Sequence, residues 1–152
     1  MISGIAEVMP DATDSLVFLD AFIPDNGDST FDLVQPAVQE VIRGALAGGE
    51  ITVPVRDAAA FRVNEKDRAW VDSLATPQPI ATMTEKLTLS GARERMPRKA
   101  YIRASGYPNV SFEKAHARAK ADPTWRTYEV PCGHDVMIDE PERLTEILLE
   151  VG

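Results

Sequence analysis

The chain has 152 residues, the length of one ordinary domain or of part of a larger one, and its 24 acidic against 16 basic side chains give a formal charge of −8. That sign repels phosphate backbones and anionic lipid surfaces, which excludes nucleic acid and membrane as expected partners. One cysteine, Cys132, allows no internal disulfide, and two histidines beside it make no ligand cluster, so neither a metal nor a cofactor is expected.

In chain order, "MISGIAEVMPD" predicts a short helix from Met1 to Met9, with Ile2, Ile5 and Met9 at helical spacing and Pro10 ending it. No run of roughly 20 apolar residues follows anywhere, and Met1 to Ala12 lacks the basic start and apolar centre of a secretory signal, so a cytoplasmic location is expected. The run "SLVFLDAFIP", Ser15 to Pro24, is continuously apolar apart from Asp20 and rich in β-branched and aromatic side chains, the pattern of a buried parallel strand. Residues 30–91 change character: helical stretches alternate with Pro and Gly punctuation, which predicts an inserted lid or cap on a core formed by 1–29 and 92–152. Ala100 to Gly106, "AYIRASG", predicts a second strand; "SFEKAHARAKAD" a helix with Ser111 at its N-cap and Pro123 beyond its end; "WRTYEVP" a third strand. A closing helix, "DEPERLTEILLEV", has Pro141 in its first turn and Leu144, Ile147, Leu148 and Val151 on one face. Alternation of this kind predicts an α/β fold with a three-stranded, mostly parallel sheet, flanking helices and right-handed crossovers.

Open parallel sheets hold ligands beyond the carboxyl ends of their strands. The first strand delivers Asp20 there, the second delivers "SGYPN" with no carboxylate, and the third delivers His134 through "PCGHD". An aspartate and then a histidine, in that order, is how the acid and base of a serine hydrolase on such a sheet are arranged. Read from the residues alone, Asp20 also suits a turn cap and His134 a structural hydrogen bond. His116, among charges and alanines on a predicted helix, reads as solvated; Cys132 as a small packed side chain; Asp135 as loop structure.

The segments "LVFLDAFIP" with "DNGDS", "DRAWVDSLATPQPIATMTEKLTL", "RKAYIRASGYP" and "CGHDVMIDEPERLTEILL" resemble the α/β-hydrolase superfamily over essentially the whole chain, in particular small bacterial esterases related to hydroxynitrile lyases and methyl-ester esterases. The resemblance implies that His134 is the general base and that Asp20 is the acid that orients it. The commoner acid position of the family falls in "ASGYPNVSF", which holds neither Asp nor Glu. It implies further that a strand and a Gly-x-Ser-x-Gly elbow stand immediately before the helix at Met1; no such motif occurs in the 152 residues. The expected function is therefore a serine ester hydrolase acting on small carboxylic esters when complete, with the present chain inactive alone. The alternatives are an inert standalone remnant with a binding or assembly role, and hydroxynitrile-lyase-like chemistry. Phe22, Trp70, Met83 and Tyr107 are candidates to line an acyl pocket. If the nucleophile strand is missing, the strand at residues 15–22 exposes an unpaired edge, which predicts a homodimer or association with a separate N-terminal half.

Overall fold

The computed structural model describes residues 2–152; Met1, where the first predicted helix begins, lies outside them. Helix α1 (Ile2–Val8) leads into strand β1 (Ser15–Leu19). The segment that follows holds α2 (Thr30–Leu33), α3 (Pro36–Ala47), β2 (Thr52–Val53), α4 (Arg68–Leu74), β3 (Gln78–Pro79) and α5 (Ala81–Thr84). The chain then returns through α6 (Ala92–Arg95) to β4 (Arg98–Ala104), α7 (Val110–Ala121), β5 (Trp125–Val130), α8 (Val136–Asp139) and α9 (Pro141–Val151).

The main sheet has the order β1-β4-β5, and both of its pairings are parallel. The central strand β4 is buried along Lys99–Ala104, whereas β1 alternates half-buried with buried residues. Alternation sorts β4 between two layers. Tyr101 joins Leu16, Phe18 and Ala6 under α1, α6 and α7, while Ala100, Ile102 and Ala104 join Leu144, Ile147 and Val151 of α9 on the opposite face. Burying each large side chain here contributes roughly 1.5 to 3 kcal/mol against leaving it in water. The intervening segment has a separate small core of Ile42, Val53 and Ile80 and a two-stranded antiparallel ladder, β2 with β3.

The α/β class and the parallel sheet agree with the sequence reading; several local expectations do not. Strand β1 stops at Leu19, five residues before Pro24, because Asp20 takes a left-handed backbone with φ of 41° that no strand continues through. Asn109, not Ser111, caps α7: its side chain accepts from the backbone N–H groups of Ser111 and Phe112, while the Ser111 hydroxyl donates to the Leu33 carbonyl. Leu148 is exposed although its three predicted neighbours on α9 are buried, since the apolar stripe is narrower than the pattern implied. His116 is not solvated. Its side chain is 13% exposed and stacks on Tyr101 at a ring-centroid distance of 5.7 Å.

Candidate active site

The end of β1 is built around one buried carboxylate. Asp20 stands one residue beyond β1 and is 1% exposed. Its backbone N–H donates to the Ile102 carbonyl at 2.7 Å, tying the left-handed residue to β4. Oδ1 accepts from Arg103 Nη1 at 2.5 Å and from the Ala104 backbone N–H at 3.1 Å. Oδ2 accepts from His134 Nδ1 at 2.8 Å. A left-handed non-glycine residue costs on the order of 1–3 kcal/mol, and such strain persists where the surroundings over-determine it. Here three donors do so.

His134 arrives from the loop after β5. Its backbone N–H donates to the Phe61 carbonyl at 2.9 Å, so the intervening segment holds the loop from above. Gly133 precedes it, and a Cβ at that position would overlap the Arg62 carbonyl, which explains why the loop needs glycine. The Gly133 N–H donates to Asp139 Oδ2 at 3.0 Å, and Asp139 Oδ1 accepts from both the backbone and the side chain of Asn64 at 3.0 and 2.8 Å. The imidazole lies among three aromatic rings: Tyr107 at 5.0 Å, Phe112 at 5.4 Å and near parallel, and Phe61 at 5.5 Å. Because Asp20 accepts, Nδ1 carries the proton and Nε2 keeps the basic lone pair. Among the described residues Nε2 has no hydrogen-bond partner. The arrangement can therefore take a proton at Nε2 while a carboxylate fixes the ring and faces the developing positive charge.

Of the predicted pocket residues, the structure brings Tyr107 and Phe22 to this cluster. Tyr107 touches His134 directly, and Phe22 packs edge-on against Phe112 at 4.8 Å. Trp70 and Met83 are placed elsewhere: Trp70 is 55% exposed on α4, and Met83 packs against the small core of the intervening segment. A cavity of about 840 Å³ opens along β1, bounded by Ile2, Ser3, Leu19 and Phe22 on one side and by Gln78 and Leu87 on the other. The Ser3 hydroxyl is buried at its wall and has no hydrogen-bond partner among the described residues.

Two features escaped the sequence reading. Arg103 is buried beside Asp20, and Asp139 ties the histidine loop to Asn64. The first could have been sought in "RKAYIRA", where Lys99, Tyr101 and Arg103 share one face of a buried strand; the second had no local signal. Among neighbouring groups, burial pushes the Asp135 carboxyl above its ordinary range, with the charge of Asp139 adding to the rise and that of His134 opposing it. Burial, together with the carboxylates of Asp139, Glu140 and Asp20, pushes the Cys132 thiol up to about 11. That thiol is no nucleophile at neutral pH. Among the described residues no group of three or more His, Cys, Asp or Glu is placed to hold a metal, and no helix is long and apolar enough to cross a membrane.

A parallel sheet whose strand ends bring an aspartate onto a histidine, with a helical segment inserted between the first two strands, is the C-terminal part of an α/β-hydrolase, and the chain belongs to that superfamily. It is 32% identical to a carbendazim-hydrolyzing esterase from Nocardioides sp. (strain SG-4G), matching over the full chain and 66% of that protein. It thus spans just under two thirds of the length of the curated relative. Solved structures agree on the fold. An extracellular α/β-hydrolase from a Paenibacillus species, described as homologous in structure and function to tobacco salicylic acid binding protein 2, superposes with a TM-score of 0.81 at 21% identity, over 99% of this chain and 66% of that one. A pyrethroid hydrolase from Sphingobium faniae superposes at 0.63 with 19% identity over 98% and 64% of the two chains, and tomato methylketone synthase I at 0.66 with 17% identity over 99% and 64%. No protein-family model matches the chain.

Proposed function

We propose that this chain supplies the acid, the base and the lid of a serine ester hydrolase acting on small carboxylic esters. The observation that carries the reading is the 2.8 Å contact from His134 Nδ1 to a fully buried Asp20, which leaves Nε2 unbonded in an aromatic setting. In this reading His134 takes the proton of an attacking serine and returns it to the leaving alcohol, and Asp20 orients the imidazole and stabilises its charged form. Phe22 and Tyr107, with Phe61 and Phe112, wall the acyl side, and residues 30–91 cover it. The likeness to an esterase supports the ester as substrate class.

The serine comes from a strand and elbow that pair with the open edge of β1, which within the described residues bonds to β4 alone. A second copy pairing through the same edge, as a homodimer, is the competing occupant. A cytoplasmic setting belongs to the same proposal and is decided by cell fractionation.

The test is covalent capture. The purified 152-residue chain is expected to give no adduct with a serine-specific phosphonate and negligible ester turnover, and the chain joined to an added N-terminal segment carrying a strand and a Gly-x-Ser-x-Gly elbow is expected to give both. A stoichiometric adduct on the chain alone overturns the assignment of the nucleophile elsewhere. Sedimentation of the chain as a compact monomer at micromolar concentration overturns the paired edge.

A further inference from the structure

We infer that Arg103 is the positioning residue of the acid–base pair: its guanidinium, not the backbone, decides that Asp20 presents Oδ2 to His134. The inference rests on the reading of Asp20 and His134 as such a pair. It begins from the cost of the arrangement. A carboxylate removed from water needs hydrogen bonds and a counter-charge, and a neutral imidazole supplies no charge. The counter-charge comes from the neighbouring strand. The last registered pair between β1 and β4 is Leu19 with Ile102, and one step further along both strands stand Asp20 and Arg103. Both are almost fully buried, at 1% and 4%.

The guanidinium does three things with its fork of donors. Nη1 donates to Asp20 Oδ1 at 2.5 Å and also to the carbonyl of Ala104. Nη2 donates to the Tyr107 carbonyl at 2.5 Å, and lies 3.8 Å from Glu113 of α7. Arg103 thereby shares Oδ1 with the longer Ala104 N–H bond at 3.1 Å, brings the only charge to it, leaves the other oxygen for Nδ1, and fixes the turn that sets the Tyr107 ring against the imidazole. A planar, five-donor group is required for this; an ammonium is a point donor that can serve the carboxylate or the turn but not both. The strand end that supplies no carboxylate of its own supplies instead the cation that holds a carboxylate from next door.

The test is the low-field proton resonance of the His134 Nδ1–H in the 152-residue chain, assigned by its loss in His134→Gln. Arg103→Gln is expected to lose the resonance while the amide spectrum stays folded, and millimolar guanidinium added to Arg103→Ala is expected to restore it. Arg103→Lys retains the charge should the neutral variants fail to fold, and is expected to lose at least half of the signal's intensity. An undiminished resonance in Arg103→Gln or Arg103→Lys, together with its loss in Asp20→Asn, overturns the inference while leaving the acid–base pair intact. A resonance that survives Asp20→Asn overturns the pair itself, and the inference with it.

Discussion

The sheet and the segment inserted between β1 and β4 solve the burial problem differently. In the sheet, Ala100, Tyr101, Ile102 and Ala104 are all wholly buried, and even the charges of Asp20 and Arg103 are withdrawn from water and paired. In the segment, one small cluster centres on three buried residues, with Ala58 and Val63 buried outside it, while Val41, Ile51, Trp70 and Leu74 are each more than half exposed. Contacts between the two regions include one group at the histidine: the Phe61 carbonyl accepts from the His134 N–H and its ring stacks on the imidazole, Asn64 binds Asp139, and Arg62 donates to the Gly106 carbonyl. The contrast teaches that the hydrogen bond orienting the His134 ring comes from the sheet, while the segment holds its backbone N–H and stacks Phe61 on one side of the ring. A segment with a small core and many exposed hydrogen bonds opens at lower free energy than a central strand.

Substitutions sharpen the contrast in descending order. Asp20→Asn leaves the Arg103 guanidinium buried without its counter-charge, and is expected to destabilise the chain by about 3 to 5 kcal/mol in chemical denaturation. Gly133→Ala forces a methyl group against the Arg62 carbonyl at the junction between the regions; an expected loss of about 1 to 3 kcal/mol would be accompanied by displacement of the His134 resonances. Trp70→Ala, on the exposed face of the segment, is expected to change stability by no more than about 0.5 kcal/mol. A large effect there would break the contrast and make the segment part of the folded core.

The histidine of α7 offers a check through pH. Desolvation lowers the His116 pKa, and the charges of Lys120 and Arg103 lower it further while Glu129 opposes them. A folded-state pKa below the unfolded one means that the unfolded chain binds the proton more readily. The stability held by neutral His116 is therefore full above the ordinary histidine range, near pH 6.5, and declines as pH falls through and below it. Thermal unfolding of His116→Phe, which keeps the stacking on Tyr101, is expected to show a flatter loss of stability between neutral and mildly acid pH than the unmodified chain. Parallel curves would contradict the burial of this ring.

Much of the fold was legible because the strands differ so plainly from their surroundings. "SLVFL" and "WRTYEV" are β-branched or aromatic between turn residues, and the alternation with helices allows little besides a parallel sheet. His134 and Asp20 were legible from their places at strand ends, helped by the resemblance of whole segments to a family. What stayed hidden depends on register, which no local pattern carries. Nothing in "YIRASG" says that its arginine comes to rest beside Asp20, because that requires knowing that β1 and β4 are adjacent, parallel and paired Leu19 to Ile102. His116 was misread for a related reason: its immediate neighbours are polar, but the face it occupies on α7 is set by Tyr101 from another strand. The cap of α7 shows the smaller limit, since Asn109 and Ser111 both suit an N-cap and only the backbone geometry chooses between them.

The central claim, that Asp20 and His134 form one acid–base device serving a serine, is tested most directly by steady-state hydrolysis of p-nitrophenyl acetate by the chain joined to an added elbow-bearing segment. His134→Ala and Asp20→Asn are compared with the parent under conditions where all three are folded. The account predicts that kcat/KM falls on the order of a thousandfold or more for His134→Ala and that Asp20→Asn loses most of the same activity, because each residue works only through the other. Hydrolysis by either variant within about twofold of the parent, a difference of under 1 kcal/mol in the barrier, would contradict it.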